Sequence, residues 1–126
     1  MTDAPPTPEK HSYPAPGGRA YWWTEKLWAA SAGLPMRRVP IAAIAEFEMD
    51  CWFQGRHAPS CRAVAEHTRR VMNADLAYPV ILAADGHLMD GAHRVCKAWL
   101  AGQTDLAAVR FETTPEPDWI VADTAD

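Results

Sequence analysis

The chain has 126 residues, 48% of them hydrophobic, so it can bury one core of ordinary size but not two comfortable domains. The net charge of −4 is concentrated at one end: residues 111–126 carry five acidic and no basic side chains, whereas residues 37–110 carry nine basic and eight acidic ones. Non-specific binding to DNA requires a basic excess. Charge therefore does not argue for DNA as a partner, although it does not exclude it.

The first segment is rich in proline, with five prolines among residues 1–18, and predicts a disordered or extended arm over residues 1–20. It lacks the apolar core of a signal peptide, and no later stretch approaches the roughly 20 apolar residues of a membrane span. We therefore expect a soluble cytoplasmic protein that contacts no membrane. Its three cysteines are then expected to be reduced.

Two short elements are predicted next. Tyr21-Trp22-Trp23 leads into a helix that Thr24 can cap and Gly33 can end. The tryptophans of this region are either packing residues that hold the arm or an aromatic surface for a partner. Residues 36–44 favour an extended segment, which Pro40 confines to the start of a strand or to a sheet edge.

Three carboxylates, Glu46, Glu48 and Asp50, follow within five residues. They are either a metal or acid–base cluster or the solvated face of a short helix or loop. Cys51, His57 and Cys61 have side chains that bind zinc, but their spacing matches no common zinc site and a fourth ligand is missing nearby. We predict no metal site.

A longer helix is expected from the cap Ser60 to about Ala74. Its apolar stripe consists of Cys61, Val64, Ala65, Thr68, Val71 and Met72. On the opposite face, Glu66 can pair with Arg62 and Arg70 at spacings of four residues. His67 lies at the border of the stripe, either as an ordinary boundary residue or as a ligand or base.

The clearest local pattern is a hairpin over residues 78–89, where Asp85-Gly86 favours a tight turn between two apolar runs. A helix is then predicted from Ala92 until Gly102 ends it. Its expected buried side is Ala92, Val95, Cys96, Trp99 and Leu100, and its outward side is His93, Arg94 and Lys97. Residues 105–111 predict another strand, and residues 113–126 an acidic, partly ordered tail.

The junction Asp90-Gly91-Ala92-His93-Arg94 connects this strand to this helix. The amides and dipole of a first helical turn attract anions, phosphate above all. Basic residues oppose that dipole, so a bound anion would account for His93 and Arg94 here. Asp90 is expected to accept a proton, to bind Mg²⁺ through water, or simply to cap the helix.

The runs Tyr78 to Leu82, Asp85-Gly86 and Met89 to Ala98 resemble the core of the ParB/sulfiredoxin superfamily. The resemblance implies an α+β fold, with a small mixed sheet and flanking helices, over residues 21–112. It also implies a pocket for nucleotide phosphates at the start of the helix. Its most specific part is the D-G-x-H-R pattern of residues 90–94.

Three branches of the superfamily differ at this motif. Sulfiredoxins have a catalytic cysteine where this chain has Ala92, which argues against reduction of sulfinic acids. ParB proteins have G-E-R-R and further domains for which this chain has no room. Free serine kinases carry D-G-H-H-R, so Asp90, Gly91, His93 and Arg94 match them and Ala92 departs.

The resemblance implies a nucleotide ligand, ATP, ADP or CTP, or another phosphorylated small molecule, with Mg²⁺ as a further ligand. Phosphate binding would fall to Gly91, Ala92, His93, Arg94 and Lys97. If the protein is an enzyme, the resemblance implies a phosphotransferase or a nucleotide hydrolase. Its catalytic residues would then be Asp90, His93 and an upstream glutamate, which is Glu48 or Glu46. The alternatives are a non-catalytic interaction module and, third, a ParB-like nuclease; a homodimer is compatible with each.

Overall fold

Two β-sheets and three α-helices make up residues 9–123, the part of the chain that the computed structural model describes. The strands are β1 (Lys10–Ala15), β2 (Gly18–Trp23), β3 (Arg37–Pro40), β4 (Val80–Leu82), β5 (Leu88–Asp90), β6 (Asp105–Arg110) and β7 (Trp119–Ala122). The helices are α1 (Thr24–Ser31), α2 (Cys61–Asn73) and α3 (Ala92–Leu100), with short 3₁₀ helices at Ile41–Ala43 and Ala45–Glu48. The predicted α+β class is confirmed.

The larger sheet is mixed and has the strand order β3-β6-β4-β5. Strands β4 and β6 are parallel, and the other two pairs are antiparallel. The smaller sheet, of order β1-β2-β7, is antiparallel throughout. Strand β3 lies at an edge, as Pro40 predicts, because proline cannot donate a ladder hydrogen bond.

Both faces of the larger sheet are covered, so the core has two halves. Val80 and Leu82 of β4 point to the half that contains Val95 and Ala98 of α3. Ile81, between them, points to the other half, which is filled from β2 and α1. A strand buried on both faces reads as a continuous apolar run rather than an alternating one, which explains the sequence Val80-Ile81-Leu82-Ala83.

Two local predictions are confirmed in detail. The hairpin of β4 and β5 turns at Gly86, whose φ of +94° is a conformation that glycine adopts readily. Helix α2 begins after Ser60, whose side chain accepts a hydrogen bond from the Ala63 amide at 3.1 Å. Both features depend on contacts within a few residues.

The sequence predicts a disordered or extended arm over residues 1–20, and where the structure describes that segment it is extended and belongs to a β-sheet. Strands β1 and β2 form a hairpin there, and β2 also pairs with β7. The indole of Trp22 is buried and donates to the carbonyl of Pro115 at 2.8 Å. Pro115 and β7 are about a hundred residues from β2 in sequence, so local composition could not reveal these contacts, whereas the pairing of β1 with β2 is local. Residues 1–8 lie outside the described part.

The helix faces also differ from prediction. Trp99 and Leu100, expected to be buried, are 56% and 69% exposed, and only Val95 and Ala98 of α3 are buried. In α2 only Val71 is buried, while Met72 is 70% exposed. His93 contacts His67 of α2, and Arg94 pairs with Asp90, so both side chains are partly buried although they were predicted to face outward.

Within residues 9–123, no helix combines the length and hydrophobicity that a transmembrane span needs.

The close contact of β2 and β7 gives a test of the smaller sheet. A Cβ at Gly18 would lie 2.2 Å from the carbonyl oxygen of Val121. We expect Gly18→Ala to lower the free energy of unfolding by about 1–3 kcal/mol, the usual effect of overpacking. Urea denaturation measures this, and Gly33→Ala, where a Cβ meets nothing within 4 Å, is the control. Equal effects of the two substitutions would contradict the pairing.

Candidate functional site

Gly91 makes the junction between β5 and α3. Its φ is +116°, and a Cβ there would lie 2.6 Å from Cγ1 of Val80. Only glycine tolerates both the backbone conformation and the contact. Helix α3 therefore starts directly at the end of β5, and Gly91 occupies its N-cap position.

Asp90 and Arg94 are paired across this junction. The Arg94 guanidinium donates to Oδ2 of Asp90 at 2.7 Å, and both side chains are largely buried, 15% and 18% exposed. The indole of Trp28 donates to the same oxygen at 2.8 Å. The carboxylate is thus held in one orientation by two donors.

Asp90 does not cap the helix, so the capping interpretation is wrong. Within residues 9–123, no side chain at the N-cap position accepts a hydrogen bond from the first turn of α3, because that position is Gly91. An uncapped helix N-terminus has free amide donors and a partial positive charge. The Asp90 side chain is engaged instead by Trp28 and Arg94.

A cavity of about 200 Å³ opens at this junction. Asp90, Gly91, His93 and Arg94 line it, so the structure brings these four predicted residues together. The further lining residues are Glu9, Trp28, Arg70, Ala74, Asp75 and Tyr78. We call it the Asp90 cavity.

Arg70 supplies the second guanidinium of the Asp90 cavity. The sequence suggested a helical pair of Arg70 with Glu66, but in the structure its guanidinium donates to the carboxylate of Glu9. Both side chains of this pair are about half exposed. Sequence reasoning missed Arg70, Trp28 and Tyr78 because only the tertiary fold brings them to Asp90.

His93 belongs to a stack of three rings. Its ring lies parallel to the indole of Trp52, with centroids 4.6 Å apart, and Trp52 also stacks on His67 at 4.4 Å. Nδ1 of His67 and Nε2 of His93 are 2.9 Å apart and share a hydrogen bond. His67 is therefore not an ordinary boundary residue: it orients the ring of His93.

Both imidazoles of the stack are biased towards the neutral form. Burial, followed by the nearby Arg70, His67 and Arg94, lowers the pKa of His93 from 6.5 to about 4. Burial and Arg70 also lower the pKa of His67. At neutral pH, His93 can therefore donate or accept a hydrogen bond at the cavity but contributes no positive charge.

Asp50 holds the loop that carries Trp52. Its carboxylate accepts hydrogen bonds from the amides of Phe53 and Gln54, both at 2.8 Å. The Phe53 amide is also the main cause of the lowered pKa of Asp50. Asp50 thus shapes the turn, and this brings the indole of Trp52 onto the two histidines.

The other predicted site residues lie elsewhere. The Lys97 ammonium donates to the carbonyls of Met72 and Ala74, at 2.9 and 2.6 Å, and so holds the C-terminal end of α2. Glu48 is exposed and is not among the residues that line the Asp90 cavity. Ala92 lines a different cavity on the other side of the ring stack.

A metal site is not formed by the carboxylates or cysteines that the sequence singled out. Among residues 9–123, no group of three or more histidine, cysteine, aspartate or glutamate side chains is arranged to hold a metal ion. Glu46, Glu48 and Asp50 have separate environments, since Asp50 holds a turn and Glu48 is exposed.

No protein-family model, curated protein or solved structure matches this chain.

The lowered pKa of His93 predicts a pH dependence of stability. The unfolded state binds more protons than the folded state between pH 6.5 and about 4, so the free energy of unfolding should fall as the pH falls through this range. Burial also lowers the pKa of His11 to about 4, so His11 contributes to the pH dependence of stability in the same direction.

Urea midpoints measured from pH 7.5 to pH 4 test this dependence. We expect a shallower pH dependence for His93→Gln than for the wild type. We expect an unchanged dependence for the control His57→Gln, because His57 is exposed. Identical pH profiles of the wild type and His93→Gln would contradict the burial of this imidazole.

Proposed function

We propose that this protein binds a phosphate group of a nucleotide or of another phosphorylated small molecule in the Asp90 cavity. The observation that carries the proposal is the meeting of an uncapped helix N-terminus with the guanidiniums of Arg94 and Arg70 in one cavity. Phosphate oxygens readily accept hydrogen bonds from the amides at a helix N-terminus and from guanidinium groups.

The acidic residues of the cavity fit a ligand that carries Mg²⁺. Asp90 and Glu9 face the same space as the two guanidiniums and accept hydrogen bonds from them. A bound phosphate would accept hydrogen bonds from Arg94 and Arg70 in place of the carboxylates of Asp90 and Glu9. Asp90 would then be available to hold Mg²⁺ through water. His93, being neutral, would orient a phosphate oxygen by a hydrogen bond.

The ParB/sulfiredoxin resemblance supports the same proposal. The residues that carry it, Asp90 to Arg94, lie at the start of α3 after a β-hairpin, as the resemblance implies. A catalytic role for Asp90 would require release of the two donors now on Oδ2, and Glu48 does not line the cavity.

Calorimetric titration with ATP, ADP and CTP in the presence of Mg²⁺ tests the proposal. We expect Arg94→Ala and Arg70→Ala each to weaken binding at least tenfold, because a hydrogen bond to a charged group contributes about 1.5–3 kcal/mol. Arg69→Ala, the neighbouring exposed arginine of α2, is the control with the same change of charge.

Absence of binding by all three nucleotides and by inorganic phosphate would refute the proposal. Equal losses in Arg94→Ala and Arg69→Ala would refute the assignment of the site. Inorganic phosphate released in the same samples would extend the function from binding to hydrolysis.

An interaction module is the second candidate function. Met72, Trp99 and Leu100 are each more than half exposed, and exposed apolar residues mark a protein interface where they form one contiguous patch. Light scattering over a range of concentrations distinguishes a homodimer, whose mass rises with concentration, from a monomer.

A further inference from the structure

A second cavity, of about 350 Å³, lies between the segment 46–53 and helix α3. Phe47, Trp52 and Phe53 line it from the segment, and Val95 lines it from α3. Its size falls in the range of small-molecule sites, which are mostly apolar with a few polar groups. We call it the Glu46 cavity.

Glu46 gives this cavity an unmet requirement for a hydrogen-bond donor. Its side chain lines the cavity, and its Oε1 is inaccessible to solvent and has no hydrogen-bond partner among the described residues. A buried carboxylate oxygen without a partner is destabilising. Because Oε1 has no accessible surface, a ligand that supplies an N–H or O–H group would remove this penalty only after the carboxyl group rotates to bring Oε1 to the cavity.

The charges around the cavity select the kind of donor. Its ionisable lining residues are Glu46, Asp50, Cys51 and Cys96, and no lysine, arginine or histidine of the described part lines it. The pKa of the Cys51 thiol is raised by burial and then by Glu46, Cys96 and Asp50. The cavity therefore favours a cation over an anion.

The aromatic walls point to the same ligand class. The ring faces of Phe and Trp attract cations, and ammonium groups are often held between aromatic rings and a carboxylate. Phe47, Trp52 and Phe53 also offer apolar surface for the hydrocarbon part of such a ligand. A metal cation is a poorer fit, because no group of metal ligands is formed there.

We propose that the Glu46 cavity binds a small organic ammonium ion with an apolar body. The ammonium group donates to the carboxylate of Glu46, and the hydrocarbon part packs against Phe47 and Phe53. Nothing in this inference depends on phosphate binding, because the two cavities share no lining residue. The stacked rings of Trp52 and His93 separate them, with Trp52 lining one cavity and His93 the other.

Calorimetric titration with two probes at pH 7 tests the inference: phenethylammonium chloride and its neutral analogue 2-phenylethanol. We expect the wild type to bind the ammonium probe at least tenfold more tightly. We expect Glu46→Gln to remove this preference and Glu48→Gln to keep it, because Glu48 is exposed and belongs to the same 3₁₀ helix.

Three results would overturn the inference: no binding of the ammonium probe, equal affinity for both probes, or equal effects of the two glutamine variants. Equal affinity would mean that the cavity takes neutral apolar molecules and that water satisfies Glu46.

A second variant keeps the test decisive if Glu46→Gln does not fold. Cys96→Phe adds volume to a residue that lines the cavity, and circular dichroism verifies its folding. We expect it to reduce the affinity for phenethylammonium at least tenfold, and unchanged affinity would overturn the inference. Titration of the same variant with nucleotides tests the Asp90 cavity separately. If one of the two ligands fails to bind, the result for the other ligand still stands.

Discussion

The close contact between Gly91 and Val80 is the constraint on which both candidate sites depend. With no side chain at this position, β5 passes into α3 without an intervening loop, and the backbone lies against β4. The same geometry directs Asp90 and Arg94 to one cavity and places Val95 in the core. A larger residue would move the helix start away from the sheet and separate these groups. Packing and site formation therefore rest on one glycine.

The stack of Trp52, His67 and His93 organises the space around this junction. On one side lie a helix N-terminus, Asp75 and two guanidiniums, each of which is paired with a carboxylate. On the other side lie two carboxylates and aromatic rings, which favour cations. The imidazoles between them are held neutral by burial and by neighbouring arginines. The wall between the two cavities is thus nearly uncharged, and both cavities are lined by carboxylates, whereas guanidiniums line only the Asp90 cavity.

Local signals in the sequence predicted those elements whose stabilising contacts are also local. The turn at Asp85-Gly86, the cap at Ser60 and the edge position of the strand with Pro40 follow from hydrogen bonds and backbone restrictions within a few residues. The faces of the helices were predicted less well. Periodicity shows that α3 is amphipathic, but its short length and its packing on α2 decide that Trp99 stays exposed while His93 turns inward.

By itself, the sequence determined the α+β class, the hairpin, the helix that follows it, and the grouping of Asp90, Gly91, His93 and Arg94, because these four residues lie within five positions of one junction. Only the tertiary structure decided that residues 10–23 form a sheet with β7, that Trp28 and Arg70 reach Asp90, and that Glu46 faces a cavity whereas Glu48 does not. Each of these depends on contacts between residues distant in the chain. Such contacts form when the apolar surfaces of separate elements are buried together, and no local pattern of residues encodes which surfaces will meet.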